Sequence, residues 1–431
     1  MNKIWIGVVL FYNLLSAQSY TSYFTGDTVD ASPQPTFGVC LMGGATENDE
    51  AMAWFLERAN GGDVVVLRAN GGDGYNDYFF NDLGVTINSV ETLVINALDG
   101  ATDPYVLQQI SNAEAIWFAG GNQYNYITYF KDSIVEDILN EHINVKGGVI
   151  GGTSAGMAIM GSHLFDAQNG TATSAEVLAD PYDDKVSLNT DFLEVPFLEN
   201  TITDTHYDRP DADDSPERKG RHTGFIARFT KEDNQRFFGI AAEEYTAVCI
   251  NEDGRAYVYG NFPEFDDYAY FIQPTCSTDF GPEICEPNTS LTWDLNTEAL
   301  QVYKVPGTTD GNNYFDLFDK ETAQGGSWEK WYVIDGVLNI EDTTNPGCNT
   351  LSVNSAEANS YSVSPNPFID QLRINTKESL DYTLRDVLGN SIMTGRLVQS
   401  QELATDNLSS GVYFLTLQQA GTTKTIKLLK Q

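Results

Sequence analysis

At 431 residues the chain is too long for one ordinary hydrophobic core, so two or three domains are expected. A hydrophobic content of 41%, with 22 Tyr and 23 Phe, supports folded domains and excludes global disorder. The 61 acidic residues against 24 Lys plus Arg give a formal charge of −37, which repels nucleic acid and anionic membranes and suits cationic substrates or plain solubility.

Residues 1–17 read as a signal peptide, with Lys3 as the positive start and residues 4–15 as an apolar run too short to span a bilayer. No later run approaches a transmembrane span. Residues 18–35, polar and bearing Pro33 and Pro35, read as a flexible leader. From Phe37 a βα alternation begins, over a domain taken as residues 36–341. Strand-like runs at 37–42, 63–67, 91–96 and 115–118 alternate with helical runs at 50–59, 76–83, 104–112 and 123–140. That alternation predicts a three-layer αβα sandwich on a mainly parallel sheet. Glycine-rich turns at Gly43, Gly120 and Gly151 fall at strand carboxyl ends, on the rim where such sheets bind ligands.

Two further strand-like runs, 237–242 and 247–251, lead into an aromatic, β-like stretch at 256–340. Residues 342–360, rich in Asn, Thr and Ser, read as a linker, and 361–431 as a small immunoglobulin-like β-sandwich. Cys40 and Cys249 lie in apolar runs and read as buried thiols. Cys276 and Cys285 flank a Gly-Pro turn and could close a small disulfide in an oxidising compartment. No spacing suggests a metal site, and no cofactor is expected.

The stretch Gly151-Gly152-Thr153-Ser154-Ala155-Gly156 joins an apolar strand-like run to the helical composition of Met157-Ala158-Ile159-Met160. Such a turn lifts a serine clear of the sheet, and its glycines tolerate the crowding. Ser154 is thus the candidate nucleophile, with the N–H of Ala155 the first oxyanion donor. The base should be one of four histidines. His142 ends a helix away from the rim. His163 would sit on the helix after Ser154, roughly 13 Å along its axis at 1.5 Å per residue. His222 follows the basic run 218–221 and reads as solvated. His206, carried to the rim by the β-rich run 201–203, is the base by elimination. Asp204, Glu243 and Glu244 are all open as the orienting acid. The order of serine, histidine and a later acid would differ from that of the α/β-hydrolases.

Phe118-Ala119-Gly120-Gly121-Asn122-Gln123, the Ser154 turn, Asp204-Thr205-His206-Tyr207 and Gly239-Ile240-Ala241-Ala242-Glu243-Glu244-Tyr245-Thr246-Ala247 occur in that order. Together they resemble the motifs of the cyanophycinase and dipeptidase E family of serine peptidases, over residues 37–320. The resemblance implies a flavodoxin-like or class I glutamine amidotransferase-like fold. It implies Glu244 as the acid, Gln123 as a substrate contact, Gly121 and Ala155 in the oxyanion region and Asp204 as a supporting acid. The family's compact arginine run after the histidine is interrupted here by an acidic insertion, 211–217. Arg209, Arg218 and Arg221 are the candidates to hold a substrate carboxylate. The implied substrate is a peptide or polyamide, with cyanophycin cleaved to β-Asp-Arg first, other aspartyl dipeptides second, and a non-catalytic surface binding protein as the contrasting class.

The segment Val363-Ser364-Pro365-Asn366-Pro367, then Val387-Leu388-Gly389 and Leu408-Ser409-Ser410-Gly411-Val412-Tyr413-Phe414, resembles a type IX secretion C-terminal sorting domain. It implies the type IX machinery as a partner and a secreted or outer-surface destination by way of the periplasm. The oligomeric state is left open, a homodimer included.

Overall fold

The structure is a computed structural model that describes residues 19–208, 218–344 and 361–430, the last with breaks at 365–367, 369–370, 377–378, 387–389, 399–400 and 420–421. The expected signal peptide, Arg209, the acidic insertion 211–217 and most of the expected linker lie outside the described residues. The chain divides into two units, Met1–Cys348 and Asn349–Gln431.

In the larger unit the elements run β1 (Tyr20–Gly26), β2 (Gly38–Met42), α1 (Asp49–Glu57), β3 (Asp63–Arg68), α2 (Gly74–Asp77), β4 (Ser89–Ile95), α3 (Leu98–Ala101), α4 (Pro104–Asn112), β5 (Ala115–Phe118), α5 (Gln123–Phe130) and α6 (Ile134–Glu141). Then come β6 (Val149–Thr153), α7 (Ala155–Ala158), β7 (His163–Phe165), α8 (Ser174–Ala179), β8 (Leu188–Thr190), β9 (Thr201–Asp204), α9 (Lys219–Asp233), β10 (Phe238–Ala242) and β11 (Ala247–Ile250). Seven strands close the unit: β12 (Arg255–Tyr259), β13 (Tyr268–Pro274), β14 (Leu300–Pro306), β15 (Asn313–Asp316), β16 (Ala323–Gln324), β17 (Ser327–Ile334) and β18 (Val337–Thr343).

One sheet has the order β1-β4-β3-β5-β6-β2-β11-β12-β15-β16, and its strands from β4 to β2 are parallel. The period of two along β3 explains its burial: Val64 and Val66 face one apolar cluster with Phe55 of α1, Val65 and Leu67 another with Ile110 of α4. Parallel strands covered on both faces are what the uninterrupted Val-Val-Val-Leu run encodes. The helices start where short polar side chains take the first free N–H groups, Asn48 from Ala51, Asp103 from Tyr105, Asn122 from Tyr124 and Ser133 from Val135. The single helix expected over 123–140 is two, because Asp132 takes a left-handed φ of 56° between them.

The second sheet departs from the sequence expectation. It has the order β18-β17-β14-β13-β10-β9-β7-β8, with β7, β9 and β10 parallel and the strands from β13 to β18 antiparallel. A single three-layer sandwich is therefore replaced by a mixed α/β unit of two sheets. The aromatic alternation of 256–340 builds strands of both. The expected leader is also corrected: Tyr20-Thr21-Ser22-Tyr23-Phe24-Thr25 is rich in β-formers and pairs as an antiparallel edge on β4. Residues 342–343, expected in the linker, end β18.

The smaller unit holds a three-stranded and a four-stranded antiparallel sheet. Leu372, Ile374 and Leu403 of the first share one apolar core with Leu384, Leu415 and Leu428 of the second.

Candidate active site

The carboxyl ends of the two sheets meet at Gly43. Its N–H donates to Thr246 O at 2.9 Å, and its carbonyl accepts from the His206 N–H at 2.8 Å. A Cβ there would lie 2.0 Å from Glu243 O, so no larger residue fits the crossing. Around it stand the turn after β6 with Ser154, the turn after β9 with His206 and the turn after β10 with Glu244. The Ser154 N–H donates to Met42 O at 3.0 Å, and Thr203 Oγ1 donates to Met157 O at 2.7 Å, tying β9 to α7.

Ser154 Oγ lies 2.8 Å from His206 Nε2, and His206 Nδ1 lies 2.6 Å from Glu244 Oε1. The carboxylate can only accept, so Nδ1 carries the proton and Nε2 accepts from the serine hydroxyl. In this arrangement the imidazole can take the serine proton while the acid stabilises the cation that forms. Asp208 Oδ1 in turn accepts from the Glu244 N–H at 2.9 Å. Glu243, the other acid left open, points its carboxylate elsewhere: it accepts from the Tyr268 N–H at 2.9 Å and from Tyr270 Oη at 2.8 Å. Burial pushes its carboxyl up to about 7.

Asp204 is buried in a fork with Arg221, whose Nε donates to Oδ2 at 2.8 Å. Burial pushes that carboxyl up, but the guanidinium outweighs it and holds it below the usual range. The pair braces the turn that carries His206, since the Thr205 N–H donates to Asp204 Oδ1. Arg221 is thus committed to an internal ion pair, contrary to the expectation that it meets substrate. Arg218 Nη1 donates to Thr205 O at 2.9 Å, and Arg209 lies outside the described residues. Gly120 packs on the serine, with a Cβ built there 3.6 Å from Ser154 Cβ, while Gly121 has a φ of 148° and Ala155 follows Ser154 as the first residue of α7. Gln123 Nε2 donates to Phe165 O at 3.3 Å.

Three histidine and cysteine readings are corrected. His222 is fully buried on α9, with its ring nitrogens against Tyr207 Oη and Ile202 O, so it is not solvated. His163 is on β7, because α7 stops at Ala158. Cys285 is a buried free thiol, so it does not pair with Cys276, which is itself disulfide-bonded. Cys40 and Cys249 are buried cross-strand neighbours, as their apolar runs suggest.

Ser154 and His206 open on a cavity of 610 Å³ that Arg68, Glu47, Tyr75 and Tyr78 also line. Sequence reasoning passed over these four. The available signal was Arg68, a cation ending a parallel strand on the ligand-binding rim of an acidic chain. Glu47 accepts a short hydrogen bond from the Tyr75 hydroxyl, and burial pushes its carboxyl up. Tyr78 Oη donates to Asp49 Oδ1 at 2.7 Å. Among the described residues no group of His, Cys, Asp and Glu side chains could hold a metal ion.

Residues 76–257 match the model of peptidase family S51. That span carries the Ser154, His206 and Glu244 turns, and it upholds the resemblance to the dipeptidase E and cyanophycinase family. Residues 362–431 match the secretion system C-terminal sorting domain, which marks the protein for the cell surface or the medium. Among solved structures, a peptidase from an acI-B1 Actinobacterium is 14% identical over 53% of this chain and 89% of its own, with a TM-score of 0.38. A putative peptidase E from Listeria monocytogenes EGD-e is 15% identical over 52% of this chain and 99% of its own, with a TM-score of 0.34. No curated protein matches the chain.

Proposed function

We propose that the larger unit is a serine-type exopeptidase for aspartyl peptides, with Ser154 the nucleophile, His206 the general base and acid, and Glu244 the residue that orients the imidazole. The observation that carries this reading is the hydrogen-bonded relay of 2.8 Å and 2.6 Å at the joint between the sheets. Ser154 attacks the scissile carbonyl, His206 takes its proton and returns it to the leaving amine, and water then releases the acyl-enzyme by the same route. Ala155 and Gly121 supply N–H groups for the oxyanion. Cyanophycin, cleaved to β-Asp-Arg, is the leading substrate, supported by the family resemblance and by an acidic surface that draws arginine-bearing material; other aspartyl dipeptides are the next class. The smaller unit reads as an immunoglobulin-like sandwich that delivers the peptidase through the type IX machinery.

A fluorophosphonate probe should label the wild-type protein, and Ser154→Ala should abolish the label. Ser154→Ala and His206→Ala should each lower kcat on cyanophycin or on an aspartyl dipeptide by about 10⁴-fold or more, since such residues act as a unit. His206→Ala with more than about a tenth of wild-type activity would remove His206 from the mechanism.

A further inference from the structure

Arg68 is the last residue of β3, and it lines the same cavity as Ser154 and His206. Its guanidinium is held in place by its own turn: Nε donates to Asn70 O at 3.1 Å and Nη1 to Gly72 O at 3.0 Å. Gly71, at a φ of 97°, makes room for it, since a Cβ there would come within 2.7 Å of Nη2. Two of the five N–H donors are used by these carbonyls, and Nη2 has no partner among the described residues. Elsewhere Arg58, Arg221, Arg228 and Arg255 each meet a carboxylate, as an excess of 61 acids over 24 bases would lead one to expect. Arg68 meets none among the described residues, although Glu47 lines the same cavity. The acid that shares its cavity is engaged by a tyrosine instead, Glu47 by Tyr75. The Tyr75 ring also lies under the guanidinium, 5.8 Å from centroid to Cζ.

We propose that Arg68 receives a carboxylate of the substrate, and that Tyr75 keeps it available by engaging Glu47. The inference rests on the serine-peptidase reading of the cavity, yet Glu47, Arg68 and Tyr75 lie outside the span that matches the peptidase family, which starts at residue 76. Arg68 takes the role that Arg221, buried against Asp204, cannot fill. A guanidinium immobilised on two carbonyls presents a fixed fork, which suits a planar carboxylate and not an amide. The carboxylate has two sources, the acidic residue that supplies the scissile carbonyl or the free end of the leaving residue.

The test compares Asp-Leu, Asn-Leu and Asp-Leu-amide on wild type, Arg68→Gln and Arg68→Lys, with folding checked by thermal melting. Wild type should favour the carboxylate over its matched amide by about 10- to 100-fold in kcat/KM, mainly through KM. Discrimination against Asn-Leu assigns the acyl side, and discrimination against Asp-Leu-amide assigns the leaving side. Arg68→Gln should collapse that ratio to near one, with Arg68→Lys in between. Calorimetric binding of the same ligands to Ser154→Ala, with and without Arg68→Gln, reads the site without turnover. An unlabelled, inactive wild type that still loses ligand affinity on Arg68→Gln would sink the peptidase reading and keep this one. A wild type indifferent to both amides, or an Arg68→Gln protein that keeps the preference, overturns the assignment.

Discussion

Ser154 and His206 both hold left-handed backbone, at φ of 53° and 48°, which costs non-glycine residues about 1–3 kcal/mol each. Each is pinned through its N–H, to Met42 O and Gly43 O, so β2 sets the position of both partners. Gly44 makes their meeting sterically feasible, because a Cβ there would lie 2.3 Å from His206 Cε1 at a φ of 128°. Gly44→Ala should therefore displace the imidazole. We expect kcat to fall at least about 100-fold, beyond what a 1–3 kcal/mol loss of stability explains. Probe labelling at a temperature well below the melting point separates the two effects. Full labelling there would show that the ring had not moved.

At the scale of elements, buried titratable groups just after β10 and on α9 set opposing pH dependences. Glu243 keeps, when folded, a proton that the unfolded chain releases, so its contribution falls as pH rises from about 4.5 to about 7. His222 is pushed down to about 4 by burial; the unfolded chain binds a proton the fold refuses, so stability is lost as pH falls from about 6.5 to about 4. Melting temperatures measured across pH 4–7 should show Glu243→Gln gaining on wild type as pH rises. His222→Gln should gain on wild type as pH falls, each by several degrees at about 3 kcal/mol per group. Parallel curves for variant and wild type would refute the corresponding assignment.

The same elements explain what could be read from the chain alone. The rim was legible because β2, β3, β5 and β6 each end a short apolar run at a turn. The turns bearing Ser154, His206 and Glu244 carry compact motifs. The second sheet was not legible, since alternation in residues 256–340 marks strands without naming their partners. His222 misled because its neighbours Arg218, Lys219 and Arg221 are charged, yet Arg221 is neutralised by Asp204 and draws the helix inward. Arg68 belongs to no motif. Its proposed role rests on the turn that grips it and the tyrosine that occupies Glu47.

For the whole molecule, the division at Cys348 and Asn349 separates the catalytic candidate from the sorting unit. Deleting residues 361–431 should leave hydrolysis of cyanophycin by the purified protein within about twofold of the full chain, as expected of a separate domain with its own core. The same deletion should strand the protein in the periplasm, as cell fractionation would read. Arrival of the truncated protein at the surface or in the medium would remove the sorting role.

The joint at Gly43 has a consequence for timing. Serine, histidine and acid stand at positions 154, 206 and 244, and all are aligned by a strand that begins at position 38. No short fragment contains the relay, and no partly folded chain can assemble it before both sheets close. A chain that is still unfolded therefore lacks the aligned relay on which the proposed reaction depends.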